Sequence, residues 1–254
     1  MNSPVTGPTV KFFCRAVRPC GTVRAMKNKL AFRIAAAIAI ALPAASAGAA
    51  THILINPDIF AGSTDRAFVD VSGEPLNANV QYTVFSPAFP GGQQVTVPMN
   101  QFNFVTSPDL FPLSAGRSSL IFARTTDPST PSVAVLRQQN GTTKVSVTIP
   151  SSNRMTGKGF NLPLGDLSSG PNNLYIADPN PSNATVIIQY GSSTSPIDST
   201  VTLQPFGIAK IAIASTHAQT NLLITVVDGF PIVAEAVFGT RIQVLLPIWS
   251  ALDP

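Results

Sequence analysis

The sequence predicts an all-β protein: two antiparallel β-sandwich domains in tandem, behind a cleaved signal peptide. Three observations carry this. Apolar residues after Thr51 fall in short β-branched or aromatic runs, several alternating with polar residues at period two. Proline occupies 23 of the 254 positions and recurs too often for long helices. Six sequence blocks recur in one order, at an offset that drifts from 107 to 97 residues.

The first element is an export leader. Lys27, Lys29 and Arg33 make a positive start, and Ile34 to Leu42 is an apolar run of nine residues. Pro43 breaks the run, and Ala45-Ser46-Ala47 and Ala47-Gly48-Ala49 both fit a small-x-small cleavage site. The run is too short to span a bilayer, which takes about 20 apolar residues. Residues 26–49 are therefore read as a signal peptide of the Sec type, and residues 1–25 as an extension from a misassigned start, with Met26 the expected first residue. The Ala-rich leader has a bacterial look. A periplasmic or extracellular location follows.

Leader removal changes the charge. The full chain has 16 Lys+Arg and 12 Asp+Glu. Seven of the basic residues and none of the acids lie before Ala50, leaving nine against twelve, a net −3. The basic balance belongs to the leader, and the scattered remaining cations argue against a nucleic-acid partner. Cys14 and Cys20 also precede Met26, so the exported chain has no disulfide and no thiolate metal site. About 205 residues must then hold together through their cores.

Strand candidates include Val80 to Phe85, Val95 to Val97, Val133 to Leu136 and Val145 to Ile149, with turns at Pro90-Gly91-Gly92, Asn140-Gly141 and Asp228-Gly229. The repeat aligns Asn77 to Val84 with Asn183 to Tyr190, and Ala67 to Asp70 with Leu174 to Ala177. Val95 to Val97 meets Val201 to Leu203, and Leu120 to Ala123 meets Leu222 to Thr225. Pro131 to Ala134 meets Pro231 to Ala234, and Val147 to Pro150 meets Val244 to Pro247. Each copy has the size of an immunoglobulin-like sandwich. The expected division is a first sandwich at 50–152, a linker at 153–172 with one buried patch around Phe160 to Leu164, and a second sandwich at 173–254, with a protease-sensitive joint between independently stable halves. A single larger jelly-roll or barrel is the alternative.

Gly229-Phe230-Pro231-Ile232-Val233-Ala234-Glu235-Ala236 resembles the late hairpin of tandem immunoglobulin-like repeats in secreted bacterial proteins of uncharacterised function. Asn173 to Asn180, with Asn183 to Val186, resembles the opening of the same modules. The resemblance covers most of 172–249 and, more weakly, 66–150. It implies the fold and an extracytoplasmic setting, and it assigns no site residue.

Residues suited to chemistry are few. His52 and His217 are the two histidines, one beside the cleavage site and one in a turn, and no Gly-x-Ser-x-Gly elbow is present. Two histidines without thiolates make a poor zinc set. Glu74 and Glu235 are the two glutamates, while Asp127, Asp178 and Asp228 precede Pro or Gly as turn residues do. Asp178 to Asn183 holds oxygen ligands but lacks the spacing of a calcium loop. Glu235, between alanines in a strand, must face solvent, a partner or a basic neighbour, with solvent the default reading. Phe85, Phe89, Phe102, Phe104 and Phe111 are dense enough that some could form an exposed patch, and Trp249 ends the last strand. No catalytic, cofactor or metal residue is assigned and no cofactor is expected. The expected function is non-enzymatic binding or structural work through loops or sheet edges, with a protein or surface glycan as partner. Two alternatives stand. Pilus chaperones resemble the chain in size and export, and Arg66, Arg117 or Arg124 would then supply the basic cleft. A secreted hydrolase would need an unusual acid pair.

Overall fold

The protein, seen as a computed structural model, is described over residues 51–60, 65–72, 79–98, 104–110, 118–125, 133–149, 156–167 and 170–248. The leader and the extension before it lie outside these residues, as do Glu74, Phe102, Phe111, Arg117, Asp127 and Trp249. Alternating sequences become strands throughout. In β2 (Asp65–Ser72), for example, every second residue from Asp65 to Val71 is buried, as a strand packed on one face requires.

Four antiparallel sheets of four strands result. Sheet 1 runs β1 (Thr51–Asn56), β6 (Ser119–Thr125), β3 (Asn79–Ser86), β4 (Phe89–Pro98). Sheet 2 runs β5 (Phe104–Thr106), β2, β7 (Val133–Asn140), β8 (Thr143–Ile149). Sheet 3 runs β9 (Gly159–Pro163), β14 (Asn221–Asp228), β11 (Ala184–Tyr190), β12 (Ile197–Leu203). Sheet 4 runs β13 (Ile208–Ala212), β10 (Asn172–Ala177), β15 (Val233–Phe238), β16 (Arg241–Val244). The strand order of sheets 3 and 4 is that of sheets 1 and 2 with eight added to each number. The six recurring sequence blocks fall on β2 and β10, β3 and β11, β4 and β12, β6 and β14, β7 and β15, and β8 and β16, or run off their ends.

Sheets 1 and 2 bury Val80, Tyr82, Val84, Ile121 and Ala123 against Val69, Val71, Ala134 and Leu136. The Tyr82 hydroxyl crosses this core and donates to Val69 O at 3.1 Å, which satisfies a polar group that burial would otherwise penalise. Burial also raises the pKa of that phenol, so it stays a neutral donor. Sheets 3 and 4 bury Val186, Ile188, Leu222 and Ile224 with Leu174, Ile176, Ala234 and Ala236.

Sheet 4 is covered on its second face as well. Tyr175, Ala177, Val233 and Val237 belong to the first core, with Ile53 and Ile55 of β1. Ile242 and Val244 of β16 and Val147 of β8 border the same cluster. This explains why β15 is buried at five successive residues and β1 at all but its first, where single-sided strands alternate.

Two expectations change here. The segment 153–172 is not simply a linker: its buried patch is where expected, with Phe160, Leu162 and Leu164 in the second core, but it is a strand, β9, that pairs with β14 from Gly159 to Pro163, and Gly157 bridges Ile232. The halves are also not independent, because they share buried apolar surface. A chain nicked between residues 149 and 156 is expected to elute from gel filtration as one particle and to separate only in denaturant. Two native peaks would contradict the shared core.

Candidate ligand-binding groove

The outer face of sheet 1 gathers polar and aromatic side chains in rows. The register sets Thr51, Arg124 and Gln81 abreast on β1, β6 and β3. The next row holds Phe122, Thr83 and Gln94 on β6, β3 and β4. Phe85 stands in the third row, opposite Leu120. Gly92 makes room for its ring: a Cβ there would lie 2.8 Å from Phe85 Cε1, and the φ of +77° suits glycine.

The second half of the chain contributes Phe206. Its ring stacks on Phe85 with centroids 4.4 Å apart and planes 11° from parallel. Phe122 stands edge-on to both, at 5.7 Å from Phe85 and 6.1 Å from Phe206. Such aromatic pairs are worth about 0.5–1.5 kcal/mol beyond their burial. Phe206 is placed by a tight turn in which the Gly207 N–H donates to Gln204 O at 2.8 Å. Pro205 presets the second position, and Phe206 takes the third at φ +54°, a site that glycine usually fills. A left-handed phenylalanine costs about 1–2 kcal/mol, so the neighbouring contacts must hold it there.

Those contacts come from Asp178. Asp178 is buried, and its Oδ1 accepts the Asn180 backbone N–H at 2.9 Å and Nδ2 at 2.8 Å, forming an Asx turn. The turn aims Asn180 O at the Phe206 N–H, 3.2 Å away, while the Asp178 N–H donates to Gly207 O at 2.9 Å. Desolvation pushes the Asp178 carboxyl above its ordinary range, and the Asn180 hydrogen bonds oppose that shift. Oxygens considered as calcium ligands thus shape the loop that carries Phe206.

Thr51, Thr83, Gln81, Gln94, Arg124 and the three phenyl rings line an open groove of about 310 Å³. Gln81 Nε2 donates to Gln94 Oε1 at 3.4 Å. Arg124 is exposed and joins no ion pair among the described residues, and no carboxylate lines this groove. Across the Phe85–Phe206 stack lies a hollow of about 200 Å³, bordered by Pro87, Pro90 and Pro205. The stacked rings partition the two spaces.

The other candidates are dispersed. His52 is buried on β1, which pairs with β6 along its whole length; it is not part of a loose chain end. His217 lies in a 3-10 turn at Ser215–His217 and stacks on Tyr190, centroids 3.6 Å apart, so the histidines belong to different pairs of sheets. Arg66 is exposed on β2, Phe89 is half-buried at the start of β4, Phe104 opens β5, and Asp228 is exposed at the end of β14.

Glu235 does not face solvent. It is 1% exposed in the seam between β15 and β1, where its Oε1 accepts the Ile55 N–H at 3.3 Å. Its Oε2 is buried without a hydrogen-bond partner. Burial raises the pKa to about 8, against the opposing Ile55 hydrogen bond. Nearby, the Tyr175 hydroxyl donates to Asp58, and Lys210 Nζ pairs with the other Asp58 oxygen at 3.0 Å. Burial, then the Asp58 carboxylate, drives the Tyr175 phenol upward.

Phe206 escaped the sequence reading, although Gln204-Pro205-Phe206-Gly207 carries a turn signal. Nothing local says that the turn sets a ring against Phe85. No protein-family model, curated protein or solved structure matches the chain.

A carboxyl whose pKa is higher folded than unfolded adds stability in its protonated form. That contribution is complete below the ordinary value of 4.5 and is lost as pH rises through about 8. Urea unfolding should therefore show stability falling across this window by up to about 1.4 kcal/mol per pH unit. Glu235→Gln should flatten the slope; an unchanged slope would place the titration elsewhere.

Proposed function

We propose that the chain is an exported, non-enzymatic binding protein of the periplasm or cell surface, with the sheet 1 groove as its recognition surface. One observation carries the reading: a strained turn in one pair of sheets presents Phe206 to the aromatic and polar face of another. Strain retained at one residue, beside a concave surface with convergent polar groups, is the pattern of a binding site. The leader supports export. The shared core supports a fixed groove, since its walls come from both halves of the chain.

The pilus-chaperone and hydrolase alternatives have less support. Arg124 does line the groove, but Arg66 lies on β2 of sheet 2, away from the sheet 1 rows. Glu235 is enclosed by apolar residues and bonded to a backbone amide.

The test compares the full exported chain with Phe206→Gly, Phe206→Ala and the control Arg66→Gln on mixed glycan and peptide arrays. Both Phe206 variants should lose the bound ligands, and Arg66→Gln should keep them. Glycine relieves the positive φ and alanine does not, so Phe206→Gly should be the more stable of the two by about 1 kcal/mol in urea. Array binding indifferent to Phe206 would remove the groove from the function.

A further inference from the structure

Resting on the groove as the binding surface, we infer that its ligand is an acidic saccharide: a sugar ring lies against the phenyl wall while its carboxylate meets Arg124. The groove offers three kinds of contact. The first is apolar: Phe85 and Phe206 cover each other's facing sides, and the ring surface they leave to the groove, with that of Phe122, makes an apolar wall suited to the weakly positive C–H face of a pyranose. The second is neutral and polar. Gln81 and Gln94 each carry a donor and an acceptor, and Thr51 and Thr83 bring hydroxyls, a set suited to sugar hydroxyls that both give and accept hydrogen bonds.

The third contact is charged and sets the sign. Arg124 is the one ionic side chain in the described lining, it is exposed, and it has no carboxylate partner among the described residues. The two ion pairs among the described residues, Arg137–Asp70 and Lys210–Asp58, contribute no side chain to the groove lining. A guanidinium presents a planar fork that fits a carboxylate with two hydrogen bonds, so an acid-bearing ring matches it better than a neutral one.

An extended peptide fits less well. Peptides that bind β-sheets draw main-chain hydrogen bonds from a strand edge. This groove lies over a sheet face, and side chains in register on β1, β6, β3 and β4 make its floor. The nearby edge, β4, carries Pro90 and Pro98, which offer no N–H to a new strand. A volume of about 310 Å³ stands at the lower end of small-ligand clefts and suits a short saccharide.

The test is calorimetric titration of the full exported chain with three probes. These are a trimer of galacturonic acid, the neutral galactose trimer, and a short peptide with a free C-terminal carboxylate. The acidic trimer should bind at least tenfold tighter than the neutral one, and added salt should narrow the gap because the Arg124 contact is exposed. Arg124→Gln should abolish the preference while leaving weak binding of both sugars. Phe206→Gly should weaken both sugars. Equal affinity for the two trimers, or a preference that survives Arg124→Gln, overturns the acidic class. Binding of the peptide alone, lost in Phe206→Gly, overturns the saccharide and leaves the groove standing. No heat with any probe, joined to array binding indifferent to Phe206, overturns both.

Discussion

Strand β1 ends sheet 1, and an end strand has backbone N–H groups with no neighbouring strand to receive them. In water they would be hydrated. Here the outer face of sheet 4 covers the edge, and the Ile55 N–H needs a protein acceptor. Glu235 supplies it from β15. The carboxyl is enclosed by Tyr175, Val233 and Val237, and burial favours its neutral form. Without this hydrogen bond, β1 could not be buried against sheet 4 at little cost. Without β1 in the seam, the second face of sheet 4 would lose the apolar cover of Ile53 and Ile55. An unpaired buried amide costs about 1–3 kcal/mol, comparable to a large share of a domain's net stability.

The seam in turn sets the position of Phe206. Sheet 4 brings Asp178 and its Asx turn to the rim of sheet 1, because Asp178 directly follows the last residue of β10. The turn of Gln204 to Gly207 leads into β13, the neighbour of β10. Burial of Tyr175 and Ala177 on β10 therefore fixes a loop that faces Phe85. The energetic arrangement is consistent: a strained phenylalanine is held by backbone hydrogen bonds on one side and by ring packing on the other. Asp58, Tyr175 and Lys210 add a polar border where the seam meets solvent.

Much of the fold was legible in the residues. Val80, Tyr82 and Val84 alternate with Gln81, Thr83 and Phe85, and the strand and its buried face follow from that alternation. The recurring blocks anticipated the equivalent strand orders, because the same alternation and turn residues appear twice. The reading failed at Glu235, and at β9 it caught the buried patch but not the strand. Glu235 sits between alanines, and a strand buried on both faces leaves the same local pattern as one whose acid faces water. Gly159 to Pro163 lies among Gly, Ser and Asn residues that signal a loop, so the apolar patch from Phe160 to Leu164 was legible but its pairing with the distant strand β14 was not. Arg124 and Phe85 were noticed for other reasons; nothing local joins them.

The sequence by itself determined the strands, the turns between them and their twofold recurrence. These depend on side-chain alternation and backbone preference within a few residues. The tertiary structure alone decided that sheet 4 is covered twice, that Glu235 is a desolvated acceptor, and that Phe206 closes a groove on sheet 1. Each of these depends on which distant surface excludes water from a given side chain, and local patterns carry no record of that surface.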